Sequence, residues 1–374
     1  MDFELTDEQA MLRAASRRLL SDHAPIEAVR ARAASDDDVD PTLWELAGEF
    51  GWPGLALPPE HGGDGQGLTE LALVAEELGR AAASVPILPA ALAGLALSRH
   101  GTTALRSEVL PALADGTDWM TWAFAEPGAP WTLDGVRTAA RTDRGSVVLD
   151  GVKTAVQDAG GARWLLVTAR HDDGLASFVV DRDAPGVALR RQRTLDLTRS
   201  FYEVRFDGVR IPPDRRLHDG PVAVQRLLDD ACVLASAEIL GVTSRMVEMT
   251  VDYMSERVQF GRQLGTFQAV KHTCATMAML VHGTRAATYY AAMAADAGAP
   301  DAARAACVAA SHSSSASTEV AGGSLQLHGG IGFTWEHDLH LYLRRAKADS
   351  ALHGGPAIHR ERLCRLSLRQ PAPT

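Results

Sequence analysis

Apolar residues recur at helical spacing through the first third of the chain, up to residue 117. Thr6 stands immediately before the first of these runs, which is where a helix N-cap residue is found. The segment 58–67 is rich in Gly and Pro and interrupts the pattern, so we expect a loop there. The pattern predicts an N-terminal helical domain over residues 1–117.

From residue 118 the pattern changes to short runs rich in Val, Phe, Tyr and Trp, separated by Gly, Asp and Pro. Such runs, for example 146–153 and 202–211, are typical of antiparallel strands. We therefore predict a middle antiparallel β-barrel domain over residues 118–217.

Long helical periodicity returns after this region, over residues 227–260, 267–297 and 301–327. Helices of this length suit a bundle of antiparallel neighbours. We predict a C-terminal four-helix bundle over residues 218–374. The fold class is accordingly a multidomain α+β protein.

Composition narrows the function. The 374 residues are enough for two or three domains, and a formal net charge of -10 argues against a nucleic-acid partner. The four cysteines are widely spaced without a CxxC pair, which indicates neither a disulfide framework nor zinc. No long apolar run or signal-peptide order is present, so we expect a cytoplasmic protein without membrane contact. The spacing of His328, His337 and His340 does not suit a ligand set, and no metal is predicted.

Two segments of the C-terminal part carry the most specific pattern. Residues 253–272 read YMSERVQFGRQLGTFQAVKH, and residues 326–343 read QLHGGIGFTWEHDLHLYL. Together they resemble the flavin-binding half of an acyl-CoA dehydrogenase, and the order of helices, β domain and helical bundle extends this resemblance over nearly the whole chain. The resemblance implies FAD as cofactor, an acyl-CoA thioester as substrate and, as a candidate partner, an electron-transfer flavoprotein.

In that family each flavin lies at a subunit interface and is held from both sides. On the side offered to a neighbour, the resemblance implies an Arg at the pyrophosphate, where a planar guanidinium binds two phosphate oxygens. It also implies apolar and amide contacts to the dinucleotide, and glycines that let backbone N–H groups come close. The residues at these positions are Arg257, Phe260, Leu264, Gln268, Gln326, Gly329 and Gly330.

The side that would hold the chain's own flavin departs from the family pattern. Where the family has Thr-Glu-Pro-Gly-Ala-Gly-Ser, this chain has Ala125 in place of the Thr and Pro130-Trp131 in place of Gly-Ser. Pro130 lacks a backbone donor, and Trp131 adds bulk where a phosphate needs room. Ala155 and Gln157 stand at the ends of a family Trp-Ile-Thr triplet. These losses lie in one half of the site only.

The catalytic base is missing from both positions at which the family places its Glu. Counting without gaps places His353 at the commoner position and Ala231 at the alternative one. An imidazole has a suitable ordinary pKa of about 6.5, but we expect His353 to be a polar residue at a helix junction. Asp230 is next to the alternative position, yet one residue on a helix is a rotation of about 100°, which points its carboxylate elsewhere.

These observations favour an acyl-CoA dehydrogenase subunit that works in a hetero-oligomer, in which a related partner supplies the catalytic Glu. Three alternatives stay open. The chain could form a homodimeric or homotetrameric enzyme with His353 as base, a non-catalytic structural or binding subunit, or an oxygen-using relative on the same fold. The Arg-rich segment 190–216 could meet the phosphates of CoA, although such a run on strands is usually a solvated face.

Overall fold

The computed structural model describes residues 4–35 and 38–368, and its N-terminal region opens with a capped helix. The side-chain oxygen of Thr6 accepts a hydrogen bond from the backbone N–H of Gln9, and the Gln9 side chain accepts one from the N–H of Thr6. This capping box confirms the predicted helix start. The helices of this region are α1 (Asp7–His23), α2 (Ile26–Ala33), α3 (Pro41–Glu49), α4 (Leu68–Ala81), α5 (Ile87–His100) and α6 (Thr103–Ala114).

The middle region is a seven-stranded curled sheet. Its strands are β1 (Met120–Ala123), β2 (Ala139–Asp143), β3 (Ser146–Gln157), β4 (Trp164–His171), β5 (Gly174–Asp181), β6 (Val187–Arg191) and β7 (Phe201–Ile211). They follow the order β1-β4-β2-β3-β7-β6, and β5 pairs with β4.

The predicted sheet is confirmed, but two of its pairings are parallel. β1 runs parallel to β4, and β2 meets β4 in parallel at one residue pair, Ala139 with Arg170. The hairpins β2–β3, β4–β5 and β6–β7 are antiparallel, as is the β3–β7 pair. A parallel pair needs a long crossover connection. Here β2 and β3 lie within the connection from β1 to β4, which spacing alone could not show.

The C-terminal region is helical, as predicted. Its elements are α7 (Pro221–Glu256), β8 (Val258–Gln259), β9 (Arg262–Gln263), α8 (Gln268–Asp296), α9 (Ala302–His328), α10 (Leu339–Asp349) and α11 (Gly355–Leu368). The predicted helix 227–260 ends four residues early, because residues 258–263 form a small antiparallel hairpin. Its turn has positive φ angles at Phe260 (52°) and Gly261 (77°), which a continuing right-handed helix cannot contain.

Two glycines fix how the N-terminal region packs against α7, the longest helix. A Cβ on Gly79 of α4 would lie 2.1 Å from the carbonyl oxygen of Glu238, and one on Gly241 would lie 1.8 Å from that of Glu76. Only glycine permits this close crossing of α4 and α7.

Three hydrophobic clusters build the core. The largest joins the N-terminal helices to α7, a second fills the curled sheet, and a third joins α4 and α7 to α8, α9 and α10. One face of α7 therefore lies against the N-terminal helices and the start of the sheet. Within residues 4–35 and 38–368, the helices lack the combination of length and apolar character needed to span a membrane.

Candidate functional site

The turn after β1 is held by a buried ion pair. The Nζ of Lys153 on β3 donates to Glu126 Oε1 at 2.8 Å and to the carbonyl oxygen of Phe124 at 3.0 Å. Burial lowers the pKa of Lys153 to about 8, although the Glu126 carboxylate opposes the change. Glu126 also accepts from the backbone N–H of Thr138. This pair fixes the start of the chain segment that leads to Trp131.

The Trp131 side chain occupies the inside of the cleft between β1 and α7. Its ring stacks on Phe124 with centroids 6.0 Å apart and meets His353 edge-on at 5.0 Å. Trp131 also borders an open pocket of about 360 Å³ toward Cys232 and His359, but the cavity that it forms with His353, Ala155, Gln157 and Ala231 has a volume of only about 40 Å³. That volume suits a water molecule and is far below the 300 Å³ or more of ordinary ligand pockets. The residues present do not fit a flavin ring here.

The backbone around Ala155 uses its polar groups internally. Ala155 has a left-handed φ of 51° at a register shift between β3 and β7. Its N–H donates to Gln192 Oε1 at 2.9 Å, and Gln192 Nε2 donates to Thr154 Oγ1 at 2.9 Å. Gln157 Nε2 donates to Asp158 Oδ2 at 3.2 Å. The donors that the resemblance assigns to a flavin edge are therefore already satisfied.

His353 lies at the junction between α10 and α11, with a φ of 58°. Burial lowers its pKa to about 4, helped by the neighbouring His359 and Arg199. Its buried Nδ1 atom has no hydrogen-bond partner among the residues that the structure describes. The imidazole is thus neutral at pH 7 and is a weak base. The geometry agrees with the expected helix-junction role.

Neither acid next to the alternative base position faces this cavity. Asp230 pairs with Arg99, and Asp229 accepts from Arg362, with Nη2 and Oδ2 2.8 Å apart. Burial raises the pKa of both carboxyl groups, and the partner guanidinium opposes the change in each case. Asp230 points away from the site, as expected from its helical position.

A buried cluster of charges lies behind the cavity, and sequence reasoning missed it. Arg199 Nε donates to Asp196 at 2.7 Å, and its Nη1 donates to Glu238 at 3.0 Å. Arg199 also pairs with Asp349, and Arg345 Nε donates to Glu238 at 3.0 Å. The expectation of a solvated face for the Arg-rich segment is thus wrong at Arg199, because this side chain is buried among three carboxylates.

The guanidinium groups of Arg199 and Arg345 keep the Glu238 carboxylate charged, whereas the burial of Asp349 favours its protonated form. Burial raises the pKa of Glu238, but Arg199 and Arg345 outweigh it and the net shift is downward. Burial raises the pKa of Asp349 to about 7, and its Oδ2 lacks a partner within the described ranges. With Asp349 protonated, two arginines balance two carboxylates. Glu238 is therefore a structural ion and no substitute base.

One signal in the sequence could have revealed this cluster. Glu238 lies within the otherwise apolar stretch of α7 and is seven residues after Ala231, which is about two helical turns. The two residues therefore share a face of α7. A lone acid on an otherwise apolar face needs a buried cation as partner.

Near the opposite end of α7, three polar side chains have no hydrogen-bond or ionic partner among the residues that the structure describes. The side chains of Arg257, Gln268 and Gln326 are exposed. Arg257 continues into the β8–β9 hairpin, where its carbonyl oxygen accepts from the N–H of Leu264 at 2.9 Å. Phe260, at the tip of this hairpin, is 88% exposed. Several residues that the sequence assigns to a neighbour's flavin thus share one exposed surface.

The glycine segment after α9 belongs to the same surface. The Tyr253 ring near the end of α7 stacks on His328, with centroids 4.7 Å apart and planes at 9°. Gly329 follows with φ 62° and ψ −142°, a conformation open essentially only to glycine. A Cβ on Gly329 or Gly330 would meet nothing within 4 Å, so the space beside this backbone is free. These residues fit the phosphate-bearing half of a dinucleotide.

Comparison with known proteins agrees with the sequence-based resemblance. The chain matches the family models for the acyl-CoA dehydrogenase N-terminal domain at residues 6–117, middle domain at 121–209 and C-terminal domain at 218–368. It is 33% identical to the acyl-CoA dehydrogenase IpdE2 of Mycolicibacterium smegmatis, with 97% of this chain and 98% of that protein covered.

Two similar solved structures come from complexes. One is a variant of the Tcur3481-Tcur3483 steroid ACAD, with 36% identity, a TM-score of 0.89, and 97% of this chain and 98% of that chain covered. The other is the ChsE4-ChsE5 complex from Mycobacterium tuberculosis, with 29% identity, a TM-score of 0.92 and full coverage of both chains.

Proposed function

The chain belongs to the acyl-CoA dehydrogenase family, and we propose that it is the subunit of a mixed oligomer that contributes contacts to the FAD of a related partner subunit. The family consists of FAD-dependent flavoproteins. The observation that carries the proposal is the contrast between the cavity of only about 40 Å³ at Trp131 and the exposed Arg257, Gln268 and Gln326 near the other end of α7, for which the described residues offer no partner. One half-site is closed while the other half is kept open for a neighbour.

In this proposal the chain binds one end of an FAD seated mainly in a related subunit. Bound FAD supplies a hydride acceptor for the β carbon of the acyl-CoA thioester. Arg257 holds the pyrophosphate, Phe260 and Leu264 cover the dinucleotide, and Gln268 and Gln326 donate or accept at its polar edges. The backbone at Gly329 and Gly330 gives phosphate oxygens close access to N–H groups.

The base comes from the partner in this account. Removal of the weakly acidic proton α to a thioester needs a carboxylate whose pKa has been raised toward the working pH. Ala231 has no titratable group, and His353, whose ring meets that of Trp131 edge-on, has a pKa of about 4. A Glu of the related subunit therefore takes the proton.

The named complexes support this assignment and indicate a substrate class. The ChsE4-ChsE5 pair and the Tcur3481-Tcur3483 steroid enzyme are both assemblies of two named chains. A CoA thioester with a bulky, steroid-like acyl group is accordingly our proposed substrate. An electron-transfer flavoprotein is the proposed electron acceptor.

A second candidate is a flavin-free structural subunit, and the filled cleft favours it. It leaves the exposed Arg257, Gln268 and Gln326 without a role, because no described side chain satisfies them. The two candidates differ in whether the complex needs Arg257 for its flavin.

The test is to assign the base to one subunit. The chain alone and its complex with a related, Glu-containing subunit are assayed for acyl-CoA-dependent flavin bleaching. Turnover should require the complex and should be lost when the partner's Glu is replaced by Gln. Full turnover by this chain alone, or by a complex without the partner's Glu, would overturn the proposal. A colourless complex would favour the structural subunit.

A further inference from the structure

A pair of stacked rings joins the two segments that carry the predicted pyrophosphate contacts. Tyr253 stands one helical turn before Arg257, and its carbonyl oxygen accepts from the N–H of Arg257 at 2.9 Å. His328 immediately precedes Gly329. The Tyr253 and His328 rings are parallel to within 9°, with centroids 4.7 Å apart. The position of Arg257 relative to the glycine segment therefore depends on this stack.

Contacts within the chain fix the orientation of the His328 ring. Its Nδ1 atom lies 2.8 Å from the carbonyl oxygen of Ser324, and because a carbonyl can only accept, Nδ1 carries the proton. His337 meets the ring edge-on, with centroids 4.7 Å apart. A Cβ on Gly332 would lie 3.0 Å from the Cβ of His328, so the glycine segment folds back against the same side chain. His328 is thus the common support of these elements.

The His328 side chain supplies a flat ring and no charge. Burial lowers its pKa below the ordinary value of 6.5, although the hydrogen bond to Ser324 opposes the change, so the imidazole is neutral at pH 7. Its Nε2 atom is buried and has no hydrogen-bond partner among the residues that the structure describes. A neutral, buried imidazole does not bind phosphate as a cation would. Any effect of His328 on a flavin must therefore pass through the residues that it supports.

We infer that His328 is a positioning residue that holds Arg257 and the glycine segment at the right separation for one pyrophosphate, an inference that rests on the proposed function. The two segments are far apart in the sequence, and the side chain of Arg257 is exposed. Contacts that are already ordered lose less conformational entropy when a ligand binds. The stack of His328 on Tyr253 supplies that order, and His328 acts through Arg257 without touching the flavin.

The experiment titrates FAD into the stripped two-subunit complex and follows flavin fluorescence. His328→Ala should weaken flavin binding about tenfold. His328→Phe should stay within about threefold of wild type, because it loses the hydrogen bond to Ser324 but keeps a flat ring against Tyr253. His312→Ala is the matched control, because His312 is a half-buried histidine of the same helix, with Nε2 3.3 Å from the carbonyl oxygen of Leu280. It should change the flavin affinity less than about twofold.

A double variant distinguishes positioning from an independent contribution. Arg257→Ala alone should weaken flavin binding about 30-fold. If His328 acts through Arg257, its ring matters little once Arg257 is gone, and Arg257→Ala/His328→Ala should stay near about 30-fold. Independent effects would instead multiply to about 300-fold. Melting curves identify a misfolded His328→Ala variant, in which case Tyr253→Ala removes the other ring of the stack and carries the same test.

The outcomes separate this inference from the proposed function. Wild-type flavin affinity for His328→Ala and Tyr253→Ala, together with a loss for Arg257→Ala, would overturn the inference and leave the proposed function intact. A loss of about 300-fold in the double variant would contradict positioning through Arg257. A His328→Phe complex as weak as His328→Ala would contradict the role of the ring. Unchanged flavin affinity in both Arg257→Ala and His328→Ala would contradict the proposed function itself.

Discussion

The polar groups around Trp131 are hydrogen-bonded within the chain, whereas those around Arg257 are exposed to solvent. Near Trp131, the side chain of Gln192 accepts a hydrogen bond from the N–H of Ala155, and Lys153 forms an ion pair with Glu126. Around Arg257 the guanidinium and the amide of Gln326 are exposed, and the described part of the chain gives them no partner. A folded protein satisfies its buried polar groups, whereas a binding surface can leave exposed ones for a ligand.

In the proposed account, the flavin site has been lost on one side only. Replacement of a small residue by Trp131 fills the space, and Gln192 supplies the hydrogen bonds that a ligand would otherwise make at Ala155. Nothing comparable has filled the surface at Gly329 and Gly330, where a Cβ would still meet open space.

The largest expected effect concerns the stability of the region around Trp131, which the Lys153–Glu126 ion pair holds in place. Lys153→Met should lower the free energy of unfolding by about 3–5 kcal/mol, because it leaves Glu126 buried and unpaired. The measurement is urea denaturation followed by tryptophan fluorescence. The double variant Lys153→Met/Glu126→Gln is the control and should lose less than the single variant. A loss below about 1 kcal/mol for Lys153→Met would show that this region is not held by the ion pair.

The next largest effect concerns flavin binding at the exposed surface around Arg257. Arg257→Ala should weaken flavin binding by the two-subunit complex about 30-fold, which corresponds to about 2 kcal/mol for charge-assisted hydrogen bonds. Flavin affinity is measured by fluorescence titration of the stripped complex. Arg257→Lys should be intermediate, because it keeps the charge but loses the planar pair of donors. Arg18→Ala, an exposed Arg in α1, is the matched control. Equal flavin affinities for the Arg257→Ala and Arg18→Ala complexes would show that the surface at Arg257 does not bind flavin.

A smaller effect tests the charge cluster that supports the closed cleft. The pKa of Asp349 is raised from 3.8 to about 7 in the folded chain. The folded chain therefore binds a proton that the unfolded chain releases, and this contribution to stability is lost as the pH rises from 4 through 7. Asp349→Asn should remove that slope, which urea midpoints at pH 5.5, 6.5 and 7.5 would show. An unchanged slope would place the proton elsewhere in the cluster.

The smallest expected effect is that of His353 on catalysis. Its pKa of about 4 and its contact with Trp131 leave it no part in proton removal. His353→Gln should leave turnover by the complex within about twofold of wild type. Stopped-flow bleaching of the flavin is the measurement. A tenfold or larger loss at unchanged flavin content would instead make His353 the base.

The fold could be predicted from sequence because its signals are local, while the flavin contacts assigned to two short segments stay a prediction. Thr6 caps the helix that begins at Asp7 by accepting from the N–H of Gln9, three residues on, and Arg257, Gln268 and Gly329 lie in two short segments. The charge cluster could not be predicted in this way. Arg199 and Glu238 meet only after the sheet and α7 have packed, and no local pattern relates two residues that are 39 positions apart in the sequence. The parallel pairing of β1 with β4 was not predicted for the same reason, because these strands are far apart in the sequence.

The ratio of flavin to protein in the purified complex tests the central claim most directly. Flavin absorbance after denaturation is compared with the amount of each subunit determined by amino-acid analysis. The account predicts no flavin on this chain alone and one flavin for each pair of unlike subunits, because every pair has one open and one closed seat. Two flavins per pair, or a full complement on this chain alone, would contradict it.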